Sequence, residues 1–192
     1  MQPSHAQTRL EQLSDGVFAI AITLLALELK VPELAGKSLE ESVSDIFFLA
    51  PTILTFFLSF ITIAIFWVNH HQLTRAIGVL KRRILWSNVL VLFFITLIPF
   101  ATAVIGENPM HTFAVMGYAL VLLGASLSFS LMRYFVHKSI GETHIPLRRS
   151  LVGPVCYSLA VITSFASIWV AYVFLVIPAI FYFLPKIREA NV

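Results

Sequence analysis

Long apolar runs separated by short polar segments dominate the sequence. A helix needs about 20 mostly apolar residues to cross the hydrocarbon core of a bilayer. Six runs reach or approach that length, at 13–29, 46–68, 84–105, 113–135, 151–165 and 169–184. The last two are halves of one stretch that is too long for a single span, and we divide it near Ser164 and Ser167. The pattern predicts an all-α, polytopic membrane protein of six transmembrane helices in a single domain, residues 1–192.

The composition agrees with a membrane location. Of the 192 residues, 58% are hydrophobic and only 12% are charged, whereas a soluble domain carries about 25% charged residues. This excludes an ordinary soluble enzyme, a disordered chain and a nucleic-acid-binding module. The single cysteine, Cys156, excludes an intrachain disulfide and a cysteine-based metal cluster. It lies in an apolar run, where it acts as a small hydrophobic residue.

If the six runs cross the membrane in turn, the basic residues fall into two unequal groups, one on each side. With the N-terminus inside, two lysines, Lys30 and Lys37, fall outside. The cytoplasmic group comprises Arg9, Arg75, Lys81, Arg82, Arg83, Arg133, Lys138, Arg148, Arg149, Lys186 and Arg188. Positive residues concentrate on the cytoplasmic side of membrane proteins. The distribution predicts a multi-pass protein of the plasma membrane with both termini in the cytoplasm.

Polar residues are concentrated in the first predicted helix. Because a helix advances about 100° per residue, one stripe contains Asp15, Ala19, Ile22, Ala26 and Leu29. One interpretation is a pore wall with an acidic mouth and an apolar constriction at Ile22. The other is a packing seam in which Asp15 caps the helix or pairs with a base. The spacing alone leaves both interpretations open.

The segment from Arg9 to Leu25 resembles the signature of the transmembrane protein 175 family, the lysosomal-type potassium channels and their bacterial relatives. The family pattern is an arginine, three residues, and then Phe-Ser-Asp. Here Leu13 stands where phenylalanine is usual, followed by Ser14 and Asp15. The resemblance implies a six-helix subunit that assembles as a homotetramer, with the first helices lining a central pore and bulky apolar side chains at its narrowest point.

Carried over by position, the constriction involves Ile22, with Ala26 and Leu29 toward the outside. Leu25 takes the layer of Ala26 if the helix is rotated, and a modest rotation also turns the hydroxyl of Thr23 toward the pore. An apolar ring of this kind gates by wetting or narrowing.

Other polar residues are expected to anchor the first helix. The second span ends with Trp67, Asn69 and His70, at the depth where Ser14 and Asp15 begin the first span. Polar groups at this depth need partners within the protein. We therefore expect an anchoring network of Arg9, Ser14, Asp15, Trp67, Asn69 and His70, in which Asp15 pairs with Arg9 or with a histidine.

These observations predict a potassium-permeable cation channel that conducts passively and has no catalytic residues. Its partners are its own copies, the bilayer and the permeating potassium ions, with no nucleic acid and no cofactor. The sequence has no TVGYG-like filter, so we expect modest selectivity. His70 and His71 are adjacent and point about 100° apart, which does not favour a metal site. The alternative is a proton-coupled secondary transporter in which Asp15 or the His70/His71 pair carries the proton.

Overall fold

The described part of the chain is helical throughout. A computed structural model describes residues 5–30, 38–141 and 147–183, without the side chains of residues 41–43, 45 and 147–149. The helices are α1 (His5–Leu27), α2 (Leu39–Phe48), α3 (Ala50–Arg75), α4 (Arg82–Glu107), α5 (Thr112–Ile140), α6 (Leu147–Thr163) and α7 (Ile168–Phe183). The predicted all-α fold class is confirmed.

Six of these helices correspond to the six apolar runs. Four of them, α1, α3, α4 and α5, are long and apolar enough to cross a membrane. At about 1.5 Å per residue they measure about 35–44 Å. The other two, α6 and α7, are apolar but only 17 and 16 residues long. The predicted break between them is confirmed, because α6 ends at Thr163 and α7 begins at Ile168.

A short helix that the apolar pattern did not predict precedes α3. The apolar pattern predicts a second span that starts at Ile46, but residues 46–48 belong to α2 and α3 begins at Ala50. Pro51 lies in the first turn of α3, where a missing N–H costs no helical hydrogen bond. The expected boundary was wrong because the apolar run continues across the break between the two helices.

Helix α4 packs against α1, α3 and α5. Helices α6 and α7 pack against each other and against α5, and α7 also contacts α3. The core draws on six helices, through Leu25, Ile63, Ile95, Leu122, Ala160 and Leu175. Among the described helices, α1 packs only against α3 and α4. It therefore lies at the side of the subunit and keeps one face uncovered.

The two ends of the bundle differ in charge. The start of α1 meets the end of α3, where the Gln7 side chain donates a 2.9 Å hydrogen bond to the Thr74 carbonyl. We call this end, which holds Arg9, Arg75 and residues 81–83, the basic end. Lys37, Lys186 and Arg188 lie outside the described residues, as do the side chains of Arg148 and Arg149.

Close approach of α4 and α5 at Gly124 provides a test of the packing. A Cβ atom at Gly124 would lie 2.1 Å from Cε1 of Phe94, which no real Cβ contact allows. We expect Gly124→Ala to displace the Phe94 ring and lower the melting temperature in detergent, followed by circular dichroism, by roughly 3–10 °C.

The matched control is Gly117→Ala on the same helix, because nothing lies within 4 Å of the added atom there. Alanine is the better helix former, so this variant should melt at or slightly above the wild-type temperature. Equal melting temperatures for the two variants would contradict the close packing of α4 on α5.

Candidate functional site

The first helix has one buried and one exposed face. Its buried residues are Gln7, Leu10, Ser14, Phe18, Ala21 and Leu25. They recur every three or four residues, which places them on one side of a helix with 3.6 residues per turn. This face packs against α3 and α4.

The exposed face of α1 combines small, hydroxyl and aliphatic side chains. Gly16, Ala19 and Thr23 are exposed, and so are Ile20 at 60% and Leu27 at 75%. Extended apolar exposure marks a surface that contacts lipid or another protein. This face is therefore available to lipid or to other copies of the chain.

The five predicted constriction residues occupy three environments. Thr23 and Ala26 are exposed, whereas Ile22 and Leu29 are half-buried. Ile22 also packs against the hydrophobic core. Leu25 is 0% exposed within that core. A side chain enclosed by its own subunit cannot line a passage between subunits, so the alternative rotation that exposes Leu25 is wrong.

A buried hydrogen-bonded cluster joins α1, α3 and α4. We define the anchoring cluster as Ser14, His70 and Asn88, each at most 1% exposed. The Asn88 Nδ2 donates to Ser14 Oγ at 3.1 Å, and its Oδ1 lies 2.6 Å from His70 Nε2. Because the amide oxygen only accepts, His70 carries its proton on Nε2. The cluster thus ties one side chain from each of three helices together.

Further contacts hold α1 beside the anchoring cluster. The ring of Phe18, one turn after Ser14, lies 5.4 Å from the His70 ring, measured between centroids. The Ser14 hydroxyl also donates to the Leu10 carbonyl at 2.8 Å. The structure thus brings Ser14 and His70 to the same site, with Asn88 between them.

Asp15 has a different partner from those expected. The indole Nε1 of Trp67 donates to Asp15 Oδ1 at 2.9 Å, so the expected pairing with Arg9 or a histidine is not the one within this subunit. Arg9 is exposed and forms no ion pair within the described residues. His71 stacks on the Trp67 ring at 6.0 Å between centroids. Both Asp15 and Trp67 are exposed, so water competes for their bond and weakens its net contribution.

Asn69 lies away from the anchoring cluster. Its Nδ2 donates to the Ile65 carbonyl at 2.7 Å, and its side chain lines a cavity of about 40 Å³ between α3, α5, α6 and α7. Within the described residues, Thr62 Oγ1 beside this cavity has no hydrogen-bond partner. Placing Asn69 in the anchoring network was wrong, because it points about 100° away from His70 on the same helix.

Asn88 and Gln7 were not expected among the residues that hold α1 in place. Asn88 lies in the third apolar run, 84–105, which resembles a lipid-facing segment in composition. A carboxamide within such a run is costly unless a partner satisfies it. The free-energy cost of an unpaired Asn88 was therefore the signal in the sequence that this residue bonds to a polar partner on another helix.

A second set of hydroxyls joins α3, α4 and α5 without involving α1. Thr102 Oγ1 donates to Ser59 Oγ at 2.7 Å, and Ser59 Oγ lies 2.8 Å from the Tyr118 hydroxyl. All three residues are buried. These bonds connect the three helices into a frame, against which the buried face of α1 packs.

An ion pair connects the far end of α1 to α4. Lys30, just after α1, pairs with Glu107, the last residue of α4. The hydrogen bond and charge of Glu107 raise the pKa of Lys30. Both side chains are exposed, so solvent screens the pair and it stabilises the fold only weakly.

The described residues include no group of three or more histidine, cysteine, aspartate or glutamate residues that could hold a metal ion. The adjacent histidines have separate contacts. His70 bonds to Asn88, and His71 stacks on Trp67.

Sequence comparisons match the segment that contains the anchoring cluster. The pattern of the family described as endosomal/lysosomal potassium channel TMEM175 matches residues 9–99. A protein of Chamaesiphon minutus named as a potassium channel is 33% identical over 184 residues, or 88% of this chain and 90% of its own. A second protein named as a potassium channel, from a Chryseobacterium species, is 33% identical over 187 residues, or 94% of each chain.

The likeness extends to the three-dimensional structure. The crystal structure of a lysosomal potassium-selective channel TMEM175 homolog from Chamaesiphon minutus is similar with a TM-score of 0.84. The two chains are 32% identical, and the match covers 93% of this chain and 97% of the other. The similarity therefore includes nearly the whole bundle.

Removal of the central amide should destabilise the bundle. We expect Asn88→Ala to leave His70 buried without its partner, at a cost of about 1–3 kcal/mol, while Ser14 keeps its bond to the Leu10 carbonyl. The melting temperature in detergent, followed by circular dichroism, should fall by roughly 3–12 °C.

Ser87→Ala is the matched control, because the neighbouring Ser87 is also buried but donates only to the Ile84 carbonyl within its own helix. It should shift the melting temperature much less. A control that melts as low as Asn88→Ala would show that the anchoring cluster contributes nothing specific.

Proposed function

The chain belongs to the TMEM175 family, and from this premise we propose that it is a subunit of a potassium channel that conducts passively. The observation that carries the proposal is the pair of bacterial relatives named as potassium channels, which align with 88% and 94% of this chain. The family is one of ion channels, so we assign this chain no catalytic reaction. Potassium is the cargo, and we assign no resident cofactor.

The exposed face of α1 is our candidate for the pore wall. The opposite face packs into the core through Phe18, Ala21 and Leu25, so an ion path along α1 must use the uncovered side. A single copy leaves that side open to its surroundings. Several copies arranged around an axis would enclose it, and we propose a homotetramer.

Ile22 is our candidate for the narrowest layer. It is half-buried and packs against the core, which restricts its rotamers while part of the side chain reaches the surface. A ring of such side chains offers no oxygen ligands. An ion that passes the ring therefore keeps its hydration shell or loses it at a cost in free energy. We expect a hydrophobic gate at this layer, with Ala26 and Leu29 further along the path.

Thr23 supplies oxygen beside that layer. Its hydroxyl is exposed and donates to the backbone carbonyls of Ala19 or Ile20, at 3.1 and 2.9 Å. Because the proton is directed to the backbone, the oxygen lone pairs stay available to a cation. A ring of four such oxygens would replace part of the hydration shell of potassium.

We place the basic end of the bundle in the cytoplasm of a cell whose plasma membrane holds the protein. Arg9, Arg75 and residues 81–83 lie at that end, and Lys30 at the other. Such asymmetry follows the positive-inside rule. With α1 beginning at the basic end, the N-terminus is cytoplasmic, and an even number of spans returns the C-terminus to the same side.

A proton-coupled transporter would need Asp15 or the adjacent histidines to load and release protons. His70 is enclosed and bonded to Asn88, and Asp15 accepts from Trp67. These contacts support structural roles for both residues. We therefore assign them to holding α1, and we favour conduction over coupled transport.

Flux into proteoliposomes tests the function. With equal pH on both sides and an imposed potassium gradient, we expect potassium flux that rises in proportion to the gradient and does not saturate. Saturation would support coupled transport instead. Absence of flux from protein that elutes as a folded, uniform oligomer would remove the channel proposal.

The same assay tests the position of the gate. We expect Ile22→Ser to increase potassium flux severalfold and to reduce discrimination against sodium, because a polar side chain wets the constriction.

Ile162→Ser is the matched control, because Ile162 is the same residue type, is 65% exposed, and lies on α6, which does not contact α1. It should leave flux unchanged. If Ile162→Ser raises flux as much as Ile22→Ser does, the effect is not specific to a gate at Ile22.

A further inference from the structure

A groove follows the contact between α4 and α5 from the basic end toward the middle of the bundle. It consists of two adjoining cavities with volumes of about 320 and 560 Å³. Both are lined by Arg82, Arg83 and Phe135, so the two cavities adjoin at these side chains, and we call them together the groove. Neither cavity is lined by a residue of α1, so this surface is separate from the proposed pore wall.

The mouth of the groove is strongly basic. Lys81, Arg82 and Arg83 lie at the start of α4, and Lys138 faces them from the end of α5. All four are exposed, and no ion pair involves them within the part of the chain that the structure describes. The Lys138 ammonium lies 5.6 Å from the centroid of the Tyr134 ring. Four cations that have no acidic partner among the described residues favour the binding of an anion at this mouth.

The wall of the groove further along the helices is apolar. Trp86 and Leu90 contribute from α4, and Leu131 and Phe135 from α5. Each pair is spaced by four residues, so its members follow one another along the helix axis. Trp86 is 63% exposed in this groove. The wall therefore presents an uncovered apolar track that begins directly below the basic mouth.

We propose that this groove binds one anionic phospholipid of the cytoplasmic leaflet. The basic mouth holds the phosphate, and the track of Trp86, Leu90, Leu131 and Phe135 receives an acyl chain. Basic pockets between transmembrane helices on the cytoplasmic side bind anionic headgroups in this way. A soluble anion would occupy the mouth alone and leave the apolar wall uncovered. The proposal concerns a different surface from α1 and does not rest on ion conduction.

Trp86 provides the reporter for the test, because an acyl chain in the groove lies against its ring. The protein is reconstituted in phosphatidylcholine vesicles that contain increasing fractions of dibrominated phosphatidylglycerol or dibrominated phosphatidylcholine, which quench tryptophan on contact. Subtracting the signal of Trp86→Phe removes the contributions of Trp67 and Trp169. We expect phosphatidylglycerol to quench Trp86 at a severalfold lower membrane fraction than phosphatidylcholine. Equal quenching by the two lipids would overturn the proposal.

Charge variants identify the mouth. We expect each neutralisation, Arg82→Gln, Arg83→Gln or Lys138→Gln, to raise the phosphatidylglycerol fraction for half-quenching by about fivefold. Arg75→Gln is the matched control, because Arg75 is an exposed arginine of the basic end that does not line the groove. It should leave the preference unchanged. A preference that survives all three neutralisations together would overturn the proposal.

Two further measurements separate the lipid from a free anion and from a folding defect. Leu131→Ser keeps every charge but makes the wall polar, so it should weaken quenching by phosphatidylglycerol without changing the elution of the oligomer. Millimolar inorganic phosphate should leave the preference intact. If phosphate abolishes it, the site recognises a free anion and the lipid proposal fails.

Discussion

The structure depends on one constraint, that a polar side chain within an apolar bundle needs a partner inside the protein. Asn88 satisfies that constraint for two neighbours at once, because it donates to Ser14 and accepts from His70. Each partner comes from a different helix. In this mutual rotation of the three helices all three side chains are bonded, and a rotation that separates His70 from Asn88 would leave a buried polar group unsatisfied at a cost of about 1–3 kcal/mol.

The rotation of α1 determines which residues remain at its surface. With Ser14 directed inward, Phe18, Ala21 and Leu25 follow on the same side and join the core. Thr23, almost opposite, is directed outward. Ile22 lies at the border between the two faces and is partly held by the core. The polar cluster near one end thus determines the surface of the helix several turns away.

The sequence predicts the helices better than their contacts. Apolar runs of sufficient length indicated the helical segments, and the excess length of the last run indicated the break before Ile168. The start of α3 was misplaced, because the apolar run continues without interruption through the end of α2. Helical periodicity shows which residues share a face of α1, but it does not show whether that face contacts the core or is exposed. Leu25 could therefore be placed only after Asn88, a residue distant in sequence, was seen to hold Ser14.

The unequal attachment of α1 at its two ends has a mechanical consequence. Near the basic end it is bonded in a dry cluster, while the far end is tied by the solvent-screened pair of Lys30 and Glu107. Beyond the cluster α1 is held by the packing of Phe18, Ala21 and Leu25 rather than by buried hydrogen bonds, so a tilt of the helix would pivot near Ser14. Ile22 and Leu27 lie about 12 and 20 Å along the axis from Ser14. A tilt of about 5° would displace Ile22 and Leu27 by about 1 and 1.7 Å. The displacement therefore increases with distance from Ser14 and is largest at the end of α1.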